Sequence, residues 1–76
     1  MSRESLLKAL QSQYKGEMDM AMANITVYQN NPAGIGEHPD IAQALDTQVE
    51  KYANAKEKFE AVQDLLNNRP QKTLTE

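Results

Sequence analysis

Residues 30–39 read Asn-Asn-Pro-Ala-Gly-Ile-Gly-Glu-His-Pro, and this stretch divides the chain into two halves. It contains two of the three prolines and two of the three glycines in the 76-residue sequence. Both residue types favour turns and interrupt helices. The segments on either side have apolar residues at the three- and four-residue steps that are typical of amphipathic helices. The stretch therefore predicts a loop between two helices.

The upstream segment predicts a helix over residues 3–28. Ser2 is placed to cap its first turn, and the negative charge of Glu4 complements the helix dipole there. Gly16 lies in the middle at a cost of about 1 kcal/mol relative to alanine, so it marks a close approach of another backbone or a weak point. The apolar stripe consists of Leu7, Leu10, Tyr14, Met18, Ala21, Ile25 and Tyr28.

The downstream segment predicts a helix over residues 39–67. Pro39 suits the first helical position, with His38 just outside it as the capping residue. Residues 68–70, Asn-Arg-Pro, end the helix, and residues 69–76 are expected to form a loose tail. Two rows with a seven-residue spacing give a seam like that of a coiled coil. They are Leu45, Tyr52, Phe59 and Leu66, and beside them Ile41, Gln48, Ala55 and Val62.

Two helices of matched length, joined by a loop at residues 29–38, are expected to pack side by side in opposite directions. The predicted fold is an all-α antiparallel hairpin over residues 1–68, with the upstream stripe facing the downstream seam. Further apolar residues outside the stripes exceed what one partner helix covers, which predicts a homo-oligomer of four or more helices. They are Leu6, Met20, Met22, Val27, Val49 and Leu65.

Composition excludes several classes of function. A net charge of −3 and a pI near 5.0 disfavour general nucleic-acid binding, which requires a basic patch. The absence of cysteine removes disulfides and cysteine-ligated zinc. No apolar run is long enough for a membrane span, and the first residues lack the apolar core of a secretory signal. We therefore expect a cytoplasmic protein without a cofactor.

The titratable residues give no catalytic arrangement. The one histidine, His38, lies at the edge of the predicted loop, where no neighbouring residue forms a nucleophile and base pair with it. Glu37, His38 and Asp40 are all capable of binding a metal, but near neighbours in sequence rarely converge on one ion without ligands from elsewhere. The sequence thus predicts neither an enzyme nor a metal site.

Two sets of residues are candidates for binding. The first is a loop set in which glycine N–H groups beside a helix start could hold an anion, although a plain connector explains the same residues. It comprises Tyr28, Asn31, Gly34, Ile35, Gly36, Glu37, His38 and Asp40. The second is a surface for oligomerisation or a protein partner, comprising Met18, Met20, Met22, Val49 and Leu65.

Residues 25–40, above all their Asn-Pro-x-Gly-Ile-Gly-Glu-His-Pro-Asp core, together with the charged helix that follows, resemble a group of small proteins encoded by tailed bacteriophages. That resemblance covers about half the chain, with a helix on each side. It implies the cytoplasm of an infected bacterium, and a protein that grips a host protein, joins an assembly or counters a defence by sequestering its signal. The sequence thus leaves two hypotheses, a self-associating protein-interaction module and an oligomer that sequesters a nucleotide-like ligand through the glycine loop.

Overall fold

In a computed structural model, residues 2–30 and 38–67 are described, except for the side chains of residues 38 and 39. Helix α1 spans Arg3–Asn30 and helix α2 spans His38–Asn67. The two helices pack against each other along their length, which confirms the predicted helical hairpin. Helix α1 extends two residues beyond the predicted end, and α2 begins one residue earlier than predicted.

The start of α1 has the expected cap. The Ser2 Oγ accepts a hydrogen bond from the Ser5 backbone N–H at 3.0 Å, and the Ser2 carbonyl accepts one from the Leu6 N–H at 3.1 Å. These bonds satisfy donors that otherwise have no partner within the first turn. Ser2 therefore fixes the residue at which α1 begins.

Three links between side chains show that the helices run in opposite directions. The Gln11 Nε2 donates to the Gln63 Oε1 at 2.6 Å, and the Asn24 Nδ2 donates to the Gln48 Oε1 at 3.1 Å. Between them, the Lys58 Nζ lies 5.6 Å from the centre of the Tyr14 ring. As residue numbers rise along α1 they fall along α2, which sets one antiparallel register over the whole hairpin.

The helices meet along a seam of residues at alternating steps of three and four. This spacing keeps one row of each helix facing the other over many turns. The prediction was wrong at Leu10, which is 39% exposed on the side of α1, whereas the neighbouring Gln11 takes the seam position. The other seam residues of α1 are Leu7, Tyr14, Met18, Ala21, Ile25 and Tyr28, and those of α2 are Ile41, Leu45, Gln48, Tyr52, Ala55, Phe59, Val62 and Leu66.

Few side chains of the seam are withdrawn from water. Ala21 and Ala55 are 2% exposed, and Val62 and Gln48 are the other buried residues of the described helices. The larger apolar seam residues, such as Phe59 and Tyr52, are half-buried. The radius of gyration is 16.6 Å, against about 11 Å for a compact domain of this length. The hairpin is thus an elongated pair of rods with a thin core.

Candidate functional site

The hairpin presents two long flanks, one on each side of the seam. Seven-residue spacing assigns the outer positions of both helices to these flanks, because residues seven apart lie on the same side of a helix in a coiled coil. We call one the groove flank, formed by Leu6, Leu10, Gln13, Glu17, Met20, Asn24 and Val27 of α1 and Lys51, Asn54, Lys58 and Leu65 of α2. We call the other the lysine flank, formed by Lys8, Lys15 and Met22 of α1 and Val49, Lys56 and Gln63 of α2.

The groove flank contains an open depression of about 620 Å³ between the two helices. Ala55 of α2 is buried at the seam side of this depression, and Gly16 of α1 lies on its exposed outer side. A Cβ added to Gly16 would have no neighbouring atom within 4 Å. The depression is lined by Gln13, Gly16, Glu17, Met20, Ala21, Asn24, Gln48, Lys51, Asn54, Ala55 and Lys58.

Large apolar side chains continue the groove flank towards both ends of the hairpin. Met20, at the groove itself, is 66% exposed. Leu10 and Leu65 extend the surface towards the chain termini, where Leu65 also lines a smaller hollow of about 290 Å³. Among the seven large apolar side chains that are exposed in the described helices, five lie on this flank, namely Leu6, Leu10, Met20, Val27 and Leu65.

The charged side chains that line the groove form few interactions within the described hairpin. The Glu17 Oε2 accepts a hydrogen bond from the Gln13 Nε2 at 3.1 Å, one turn away. Lys58 extends over the Tyr14 ring, and within the described residues neither Lys51 nor Lys58 forms an ion pair. The lining of the groove thus has an acidic side chain on α1 and two basic side chains on α2.

The lysine flank is organised differently. Each of its three lysines forms an ion pair one turn away on its own helix: Lys8 with Glu4 at 3.5 Å, Lys15 with Asp19 at 3.0 Å and Lys56 with Glu60 at 4.0 Å. Such exposed pairs contribute less than about 1 kcal/mol each, but they leave the surface charged and hydrated. Met22 and Val49 are its exposed apolar residues.

The structure divides the predicted partner surface into three places. Met18 is half-buried in the seam, Met20 and Leu65 lie on the groove flank, and Met22 and Val49 lie on the lysine flank. In the sequence-based prediction, these five residues share one surface because all of them are apolar. The seven-residue spacing of Leu6, Met20 and Val27, with Gln13 between them, was the signal that could have placed three exposed residues on one flank.

The predicted ligand loop falls largely outside the described residues. The parts of that set outside the described residues are Asn31, Gly34, Ile35, Gly36, Glu37 and the side chain of His38. Of the remaining two residues of that set, Tyr28 is half-buried at the end of the seam and Asp40 is exposed in the first turn of α2.

The described helices contain no group of three His, Cys, Asp or Glu side chains that could hold a metal ion. Neither helix, as far as it is described, has an apolar stretch that could cross a membrane. Comparison with protein-family models, with curated proteins and with solved structures finds no match. We therefore infer the function from the surface geometry of the hairpin.

Proposed function

We propose that this chain is a non-enzymatic interaction module that acts by self-association. The observation that supports this most directly is the thin core. No large side chain is fully buried in the described helices, while seven large apolar side chains are exposed. Small domains usually need a second source of stability, and association with another helical surface supplies it without a disulfide or a metal.

The surfaces of the hairpin suit helix-on-helix contact. Leu, Met and Val at helical spacing pack readily against a second pair of helices, and methionine adapts its shape to an irregular surface. Exposed side chains with polar groups surround these apolar residues, among them Glu17 and Lys58. An apolar patch with a polar rim is the usual composition of a protein interface.

The resemblance to small proteins of tailed phages indicates where the proposed module would act. It would act in the host cytoplasm, where the assembled helices bind a protein of the host or of the phage. Capture of partners from expressing bacterial cells by the tagged chain, followed by mass spectrometry, tests this part. A variant that no longer self-associates serves as the matched control.

Self-association itself is tested by sedimentation across a concentration series that spans the micromolar range. We expect the average mass to rise with concentration towards that of a dimer or larger oligomer. We also expect the melting temperature to rise with concentration, because association stabilises only the folded chain. A well-folded monomer at all concentrations, with an unchanging melting temperature, would remove the proposal.

A further inference from the structure

The proposed self-association leaves open which flank the second copy covers, and the two flanks differ in ways that decide it. The inference below rests on the proposed function. Five exposed large apolar side chains lie on the groove flank and two on the lysine flank. The lysine flank also has three lysines already paired on their own helices. Covering it would disturb these pairs for little apolar area.

The groove flank has the size that a stable dimer needs. A 28-residue helix is roughly 42 Å long and two packed helices are roughly 20 Å wide, so one flank offers roughly 800 Å². A standard protein interface covers about that area on each partner. The open depression between the helices adds space into which a side chain of the second copy can insert.

Two symmetric arrangements bring the groove flanks of two copies together. With the twofold axis across the helices, α1 packs on α1 of the other copy. Glu17, near the middle of α1, then faces the Glu17 of that copy, and the lysines of α2 face lysines. With the axis parallel to the helices, α1 packs on α2 of the other copy at the same height. Glu17 of each copy then faces Lys58 of the other.

Charge complementarity favours the second arrangement. Like charges brought together in an interface destabilise it, whereas complementary charges fix its register. Glu17 is the acidic residue that lines the groove, and Lys51 and Lys58 of α2, which also line it, form no ion pair in the described part of the hairpin. We propose that a second copy of this chain covers the groove flank as an antiparallel four-helix dimer, in which Glu17 of each copy pairs with Lys58 of the other.

Charge reversal tests this pairing. The variants Glu17→Lys and Lys58→Glu each place like charges across the proposed interface twice. We expect each variant alone to dissociate at least tenfold more readily than the original chain in sedimentation equilibrium. When the two variants are mixed in equal amounts, the lysine introduced at position 17 faces the glutamate introduced at position 58. The unchanged Glu17 and Lys58 also face each other, so we expect a heterodimer with an affinity close to that of the original dimer.

Matched controls reverse charges elsewhere on the same helices. Lys56→Glu changes the lysine flank and Glu57→Lys changes the outer face of α2, and both should leave the dissociation constant within threefold of the original. Circular dichroism of every variant confirms that the helices remain formed. Rescue by mixing is the decisive result, because a pairing of Glu17 with Lys58 inside one hairpin would not be restored by a second variant.

The outcomes separate the two proposals. If the original chain is a monomer, both the self-association and this arrangement fail. If the original chain associates but Glu17→Lys and Lys58→Glu do not weaken it, the arrangement is wrong and self-association stands. If both variants weaken the dimer but mixing them does not restore the affinity, the proposed pairing between copies is also wrong.

Discussion

Gly16 lowers the stability of α1, and no close contact within the hairpin requires a glycine at this position. It lies on the outer side of the helix beside the groove, and a Cβ there would touch nothing within 4 Å. Glycine in a helix interior costs about 1 kcal/mol relative to alanine. We therefore expect Gly16→Ala to raise the free energy of unfolding by about 0.5–1 kcal/mol in urea titrations followed by circular dichroism.

The control for Gly16 is Ala23→Gly, an exposed position seven residues further along α1. It should lower the free energy of unfolding by a similar amount, about 1 kcal/mol. Both measurements belong at a concentration low enough for the monomer to dominate. Destabilisation by Gly16→Ala under those conditions would mean that the hairpin backbone needs glycine at this point, contrary to the open space seen there.

Phe59 is the phenylalanine of the seam, and the register sets it across from Tyr14. Truncation of a buried phenylalanine costs about 3–5 kcal/mol. Because Phe59 is half-buried, we expect the lower end, about 3 kcal/mol, which is still a large share of the stability of a small domain. Phe59→Ala should therefore lower the melting temperature sharply and leave the isolated chain mostly unfolded.

Lys58 is a poor control for Phe59, although it is the neighbouring residue and is exposed. Its Nζ lies over the Tyr14 ring, an interaction that contributes about 0.5–1 kcal/mol at exposed sites. Glu57→Ala is the better control, because Glu57 is exposed and forms no ion pair within the described residues. It should shift stability by less than about 0.5 kcal/mol. Equal melting temperatures for the two variants would place the seam on another face of α2.

At the scale of the helices, one polar pair fixes how α1 and α2 are aligned. Gln48 is a buried polar residue of the seam, 8% exposed, and it accepts a hydrogen bond from Asn24. A polar residue among apolar seam positions favours the register in which it finds its partner. We expect a double-mutant cycle of Asn24→Ala and Gln48→Ala to give a coupling energy of about 0.5–1.5 kcal/mol.

The comparison for that cycle is Gln13 and Glu17, a hydrogen-bonded pair that lies within α1 and is exposed to solvent. Its coupling should amount to a few tenths of a kcal/mol, because water competes for both groups. Denaturant unfolding of the single and double variants gives both values. A coupling for Asn24 and Gln48 no larger than that for Gln13 and Glu17 would remove their role in setting the register.

The helices and most of the seam follow from the sequence because burial at a seven-residue spacing depends only on position along one helix. Leu10 was misplaced for a physical reason: an apolar residue beside a polar one suggested the seam, yet Gln11 fills that position. Its amide is satisfied by Gln63 across the hairpin. A hydrogen bond between residues 52 positions apart cannot be read from the local pattern.

The seven-residue spacing could place Leu6, Met20 and Val27 on one side of α1, but the sequence does not show which residues of α2 share a flank with them. Met20 and Met22 are two positions apart and look equivalent in a list of surplus apolar residues. Assignment to a flank requires the direction of the second helix and its register, which depend on contacts such as that between Asn24 and Gln48. The predicted loop set lies mostly outside the described residues, so its role stays a prediction.

For the whole molecule, elongation and a thin core are two aspects of one arrangement. Two rods packed side by side have a single line of contact, and each large seam side chain therefore keeps part of its surface towards a flank. Phe59 and Tyr52 are half-buried for this reason. In the proposed dimer, a second hairpin on the groove flank covers the exposed leucines and Met20, so the contact between copies adds the apolar burial that the thin core lacks.

Because only one flank is covered in the proposed dimer, two methionines of α1 provide a matched comparison. Met20 is on the groove flank and Met22 is on the lysine flank, and both side chains are exposed in the hairpin. Met20→Gln removes an apolar contact from each copy, about 1–2 kcal/mol per side chain, so the dissociation constant should rise at least tenfold. Met22→Gln, with the same change of chemistry, should leave it nearly unchanged. Sedimentation equilibrium measures both, and a larger effect of Met22→Gln would assign the interface to the lysine flank.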